Sequence, residues 1–178
     1  MNISPSDLWT MAIAELTRAN ADRKHPFRRC VLCTHADYPE SRWVVSRGMD
    51  SSYTFTICTD SRSPKVRHIA ADTKVTLLFY HSKKQLQIRI KARASILTDG
   101  PLYEKHFTKA ANYPKDYSTS QAPGSTMSHE LQLTDTMHFA VLQIVPVEWD
   151  ILLLGKYQHQ RAVYSYLENN WMGQSVVP

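Results

Sequence analysis

Arg42, Arg62, Ser63 and Lys65 fall in one stretch, RWVVSRGMDSSYTFTICTDSRSPK, and combine fixed positive charge with hydroxyl and backbone donors. That set suits a doubly charged phosphate, because cationic side chains neutralise it while the free N–H groups of a helix start point at it. Ser63-Pro64-Lys65 reads as such a start, a cap residue followed by proline at the first helical position. On residue types alone, ordinary solvated charges at a strand start and a helix start account for Arg42 and Lys65 equally well.

The other reactive residue types form no comparable pattern. Cys30 and Cys33 make a C-x-x-C inside FRRCVLCT, whose apolar and β-branched content predicts a strand, and residues three apart on a strand face opposite ways. No second cysteine pair exists to complete a metal site, and Cys58 in TFTICTD reads as strand packing. An odd cysteine count argues against a disulfide framework. The histidines show no ligand spacing, so no metal is expected. Arg89, Lys91 and Arg93 read first as a solvated strand face.

Local signals supply the elements that must position these residues. Ser4-Pro5-Ser6-Asp7 caps a helix reaching to about Asn20. FRRCVLCTHAD predicts a strand, and SRWVVSRG and YTFTICTD a hairpin around Met49–Ser52. After the short helix from Ser63 come KVTLLFYHS and KQLQIRIKARASIL. In the latter Leu86, Ile88, Ile90, Ala92 and Ala94 take one face, and Gln87, Arg89, Lys91 and Arg93 the other. Gly100-Pro101 opens a second amphipathic helix to about Ala111. Residues 111–137 are polar and broken by Pro114, Pro123 and Gly124, a long aperiodic segment of the functional or mobile kind. Strand signal then resumes, with Pro146 and Gly155 predicted as breaks. Six or seven strands, mostly sequential neighbours, predict a mostly β single domain over residues 1–178, an antiparallel barrel with peripheral helices.

Composition narrows the partners. The 178 residues carry a net charge of +5, enough to favour an anionic ligand but too diffuse for nucleic acid. No apolar run approaches the ~20 residues of a membrane span, and the first residues lead into no signal-like block, so a soluble, cytoplasmic protein is expected.

The segments RWVVSR, CTDSRSPK, KVTLLFY and QLQIRIKA, in that order, resemble the FMN-binding core of the pyridoxamine 5'-phosphate oxidase family, the split-barrel flavoproteins. Trp149, then His159-Gln160-Arg161, then NNWMGQSVVP is similar to that family's tail, so the likeness runs from about Phe27 to Pro178 and is weakest over residues 112–137. The resemblance implies a homodimer with one FMN in each of two clefts between subunits. It lays Arg42, Trp43, Val44 and Val45 along the flavin, Arg47 at the substrate side, and Cys58 and Thr59 beside the ring. It gives the phosphate to Arg62, Ser63 and Lys65 and the flavin edge to Gln87, with Gln121, Trp149 and Arg161 completing the site.

The departures bear on function. Pro64 stands where the family commonly has arginine before the lysine, and the family's arginine-x-histidine pair reads Tyr157-Gln158-His159. Its substrate-phosphate clamp finds only His106 and Ala110, and Ser175 replaces a late arginine. The expectation is an FMN-dependent oxidoreductase whose substrate is not pyridoxine phosphate, reduced by NAD(P)H or an organic molecule, with His159 and Arg161 as candidate catalytic residues. Two alternatives are a flavin carrier or sensor without turnover, and a basic barrel that binds nucleic acid. The last is weakened because the basic strand lacks paired aromatics for stacking bases.

Overall fold

The computed structural model describes residues 3–178. Helix α1 spans Pro5–Ala21, capped by the Ser4 hydroxyl, which accepts from the Asp7 N–H at 3.1 Å. Leu8, Ala12, Leu16 and Ala19 recur at helical spacing, and all are buried. A 3₁₀ turn at Pro26–Arg28 leads into β1 (Arg29–Thr34), followed by β2 (Glu40–Met49), β3 (Phe55–Asp60), α2 (Pro64–Ala71), β4 (Lys74–His81) and β5 (Leu86–Leu97). Then come α3 (Gly100–Ala110), a single turn α4 (Pro114–Tyr117), β6 (Phe139–Leu153), β7 (Gln160–Leu167) and β8 (Asn170–Val176).

The strands hydrogen-bond in the order β3-β2-β1-β4-β5-β6-β7-β8, and a further pairing of β3 with β6 closes the first six into an antiparallel barrel. Closure removes the exposed edges that an open sheet would present. Alternation decides what fills the interior. Leu86, Ile88, Ile90, Ala92 and Ala94 are all buried, and each large aliphatic among them contributes ~1.5–3 kcal/mol by leaving water. Helix α1 closes one side of the core, with Trp9 packed among Tyr53, Trp149, Tyr164 and Trp171.

The barrel itself is six-stranded and antiparallel, as expected, and among the described residues two further strands extend it, because the tail folds back as β8 through a tight turn in which Glu168 and Asn169 take φ of 48° and 62°. Two expectations change. Pro146 does not end a strand. β6 runs through it, since Val147 is the extra residue of a bulge between the pairs Lys91–Glu148 and Ala92–Pro146, where a missing N–H is tolerated. Residues 111–137 are not featureless: α4 and a bridge between Thr119 and Leu133 organise them. Among the described residues no helix is long and apolar enough to cross a membrane.

Candidate functional site

A bulge aims the first key residue. Ser46 pairs with Ile57 and Gly48 with Thr56, so Arg47 is the surplus residue of β2 and its side chain leaves the ladder. Gly48 has φ of +147°, a backbone state that side chains rarely adopt, and a Cβ there would sit 3.2 Å from Asn20 Oδ1. Asn20 in turn clasps Met49 on both sides, its amide donating to the carbonyl at 2.9 Å and its Oδ1 accepting from the N–H at 3.0 Å. Helix α1 thereby fixes the bulge.

Beside it lies an open cavity of about 740 Å³, within the range of small-molecule sites, ~300–1,000 Å³. Trp43, Val44, Val45, Arg47, Cys58, Thr59 and Lys65 line it, as do Arg29, Asp60, Asp116 and Tyr117. Tyr117 comes from α4 and packs edge-on against Phe139 at 5.0 Å, so the irregular segment contributes to the wall. Arg47 shares the cavity wall with Tyr117 and Cys58, near enough for its charge to act on both. Burial pushes the Cys58 thiol up, and the opposing charge of Arg47 does not undo it, so Cys58 is a protonated thiol at neutral pH. Burial likewise raises Tyr117, which stays a neutral phenol.

The cavity also reaches Lys65, in the first turn of α2. Lys65 Nζ donates to Thr59 Oγ1 at 3.0 Å, and Thr59 Oγ1 lies 3.3 Å from the buried Ser63 hydroxyl. Ser63 is the N-cap of α2 but makes no capping bond with its side chain. Burial lowers the Lys65 pKa and the charge of Arg42 lowers it further, against a pull upward from Asp60. A lysine in that state gains from an anionic partner.

The remaining expected residues divide. Arg62 is engaged elsewhere: its Nε and Nη2 grip Asp60 at 3.2 and 2.7 Å, and Nη2 also reaches Thr119. Arg42 is not among the residues lining the cavity and is bonded to Thr34 Oγ1 at 2.7 Å and to the Leu32 carbonyl. Gln121 holds its own loop together through Ser128 and His129 and lines a neighbouring cleft of about 310 Å³. Strand alternation turns Trp149 inward with Ile151, where it is fully buried in the core and does not line the cavity of its own chain. His159 is exposed in the β6–β7 connection beside a small separate cleft, apart from Arg47 and Lys65. Gln87 and Arg161 sit on the outer sheet face and do not line the cavity of their own chain.

Sequence reasoning passed over Arg29, Asp60, Asp116 and Tyr117 at the cavity, and also a buried cluster elsewhere. Glu15, His25 and His81 bring their ligand-type atoms within 4.8 Å of one another. Their spacing in sequence gives no hint, since they come from α1, the approach to β1 and β4. The geometry favours a proton-sharing clamp over a cation site. His25 Nδ1 accepts from the Phe27 N–H at 3.1 Å and His81 Nδ1 from the Lys84 N–H at 3.3 Å, which leaves the proton on each Nε2 facing the Glu15 carboxylate. Lys84 Nζ occupies the other carboxylate oxygen at 2.6 Å.

A closed antiparallel barrel of six strands, extended by two more and flanked by helices, is the architecture of the split-barrel fold. Residues 6–98, more than half the chain, match the family described as pyridoxamine 5'-phosphate oxidase, FMN-binding domain, and the protein belongs to that family. Solved structures agree on the fold. A pyridoxamine 5'-phosphate oxidase-related, FMN binding protein from Nostoc punctiforme is similar over 100% of both chains at 21% identity and a TM-score of 0.73. PhzG from Burkholderia lata, solved with tetrahydrophenazine-1-carboxylic acid, aligns over 98% of this chain and 94% of its own at 19% identity and a TM-score of 0.76. HupZ of Group A Streptococcus covers 80% and 94% at 16% identity and a TM-score of 0.54. No curated protein matches the sequence.

Proposed function

We propose that the chain binds FMN as a homodimer and serves as a flavin-dependent oxidoreductase for a small anionic substrate other than pyridoxine phosphate. The observation that carries this reading is the two-ended cavity. Lys65, Thr59, the Ser63 hydroxyl and the first turn of α2 suit the phosphate, whereas Val44, Val45 and Cys58 offer a flatter, less polar wall to a ring. Arg47, beside Tyr117, and Arg29 remain for a negatively charged substrate. When bound, FMN supplies the two-electron chemistry, and the protein supplies placement and charge.

The test is direct. Wild-type protein titrated with FMN should quench flavin fluorescence with saturable binding, and Lys65→Ala should weaken it ~10- to 150-fold, the worth of a charge-assisted bond of ~1.5–3 kcal/mol. Failure of the wild type to bind FMN would sink the reading. A second reading, flavin carriage without turnover, is favoured by one observation: among the described residues lining the cavity there is no histidine, and His159 lies elsewhere. Bleaching of the bound flavin by NAD(P)H supports the oxidoreductase, and a colour that persists with every reductant tried supports the carrier.

A further inference from the structure

The outer face of the sheet carries a second polar cluster. Register sets it out in two rows: Gln87, Leu152 and Arg161 lie side by side, and Arg89, Asp150 and Val163 form the next row. The alternate residues Ile88, Trp149, Ile151 and Ala162 fill the interior, so all six of these side chains face away from the barrel. Asp150 nevertheless is only 4% exposed, because two guanidinium groups cover it. Arg161 Nε donates to Oδ1 at 2.9 Å and Nη2 to Oδ2 at 2.8 Å, a two-pronged grip, and Arg89 Nη2 also donates to Oδ2.

This arrangement has a definite charge and stiffness. Burial opposes ionisation of Asp150, yet the bonds from Arg161 and the charges of Arg89 and Arg161 outweigh it and hold the carboxyl below its usual range. One carboxylate between two guanidiniums leaves a net charge of about +1 on the patch, since each arginine keeps its own charge. The grip on Asp150 leaves Nη1 of Arg161 and both Nε and Nη1 of Arg89 for another acceptor, with Gln87 beside them. None of these residues lines the cavity between β2 and β3, so they cannot serve it within one chain.

We infer that Asp150 is a positioning residue for flavin binding: it locks Arg161 and Arg89 into a rigid donor platform that, with Gln87, one copy of the chain presents to the cavity of a second copy. The inference rests on the proposed FMN-binding homodimer. The group recognised is the carbonyl-rich edge of a planar heterocycle, which a guanidinium pair and a carboxamide can meet with several donors at once. Without Asp150 the two guanidiniums repel each other and each regains its rotamers. Affinity then falls although no group that touches the ligand has been removed.

The experiment uses the full chain and titrates FMN by fluorescence quenching, with sedimentation to read the dimer. Asp150→Asn and Arg161→Ala should each weaken FMN binding by about tenfold or more and shift the absorption of bound flavin alike. The double variant should be no weaker than the worse single one, because the aspartate acts through the arginine. Additive losses, or wild-type affinity in Asp150→Asn while Lys65→Ala loses FMN, would overturn the inference and leave the proposed function standing. A wild type that binds no FMN removes both. Should Asp150→Asn not fold, Arg161→Lys answers instead: it keeps the charge but not the two-pronged grip, so a loss matching Arg161→Ala supports the platform and wild-type affinity refutes it.

Discussion

Replacement of Glu15 by alanine should be among the most damaging single changes available outside the barrel lining. The carboxylate accepts from His25 Nε2 at 3.1 Å, Lys84 Nζ at 2.6 Å and Arg18 Nη1 at 3.1 Å, with His81 Nε2 at 3.7 Å. The side chains of Lys84 and Arg18 are 41% and 63% exposed, so both turn to water when the acid is gone, a loss of ~0–1 kcal/mol each. The two histidines cannot. Their N–H groups are left buried without an acceptor at ~1–3 kcal/mol apiece, which places Glu15→Ala at ~3–5 kcal/mol, the scale of a broken buried pair. At ~2–4 °C per kcal/mol for a chain of this size, the thermal midpoint should drop by roughly 6–20 °C. Lys84→Ala should cost under ~1 kcal/mol. Urea melts of both variants at pH 7.5 decide the matter, and equal losses would refute the account.

Acid titration gives the same cluster a second signature. Burial holds the folded His81 pKa below 6.5, so between those values the unfolded chain binds the extra proton and stability falls as pH drops below about 6.5. Burial opposes ionisation of Glu15, but Lys84, His25 and Arg18 together hold its folded pKa below 4.5, so a further loss sets in as pH falls through 4.5. The second step should vanish in Glu15→Ala and the first should remain.

Two other outcomes follow from the site. Trp149→Phe should lower the thermal midpoint through lost packing and leave FMN affinity unchanged, because the indole touches core only; its buried Nε1 has no partner among the described residues. FMN affinity should fall on the alkaline side at a lower pH than for a lysine titrating at 10.5, since burial and Arg42 depress Lys65 and the charged form holds the phosphate. In Lys65→Arg that alkaline fall should disappear, which a pH series of fluorescence titrations would show.

Signals confined to a few neighbours in the chain were legible in advance. Ser4-Pro5 set the start of α1, Ser63-Pro64 the start of α2, and the alternation of Leu86 to Ala94 the inward face of β5. What depends on partners far along the chain was not. Arg62 looks free in sequence, yet Asp60 two residues before it takes its guanidinium. Arg89 reads as solvated until β6 brings Asp150 beside it. Trp149 has the parity of Ile151, a period-two cue in the sequence to its inward orientation, but its packing against Trp9 from α1 has no local trace. The bulge at Arg47 has one local trace, Gly48, and nothing local announces that Asn20 secures it.

The sixth strand has a kinetic consequence. β6 zips along the whole of β5 while its first half also seals against β3 and its second half receives β7. More than forty residues separate its start from the end of β5, so a nascent chain emerging from the ribosome carries an unzipped, sticky curl of five strands until Phe139 and its successors are made. Non-local pairing of this kind is slow and exposes strand edges to other chains. Synthesis of the final quarter is therefore the step at which an aggregation-prone intermediate becomes a sealed cylinder, and substitutions that delay the docking of β6 should show first as poor soluble yield.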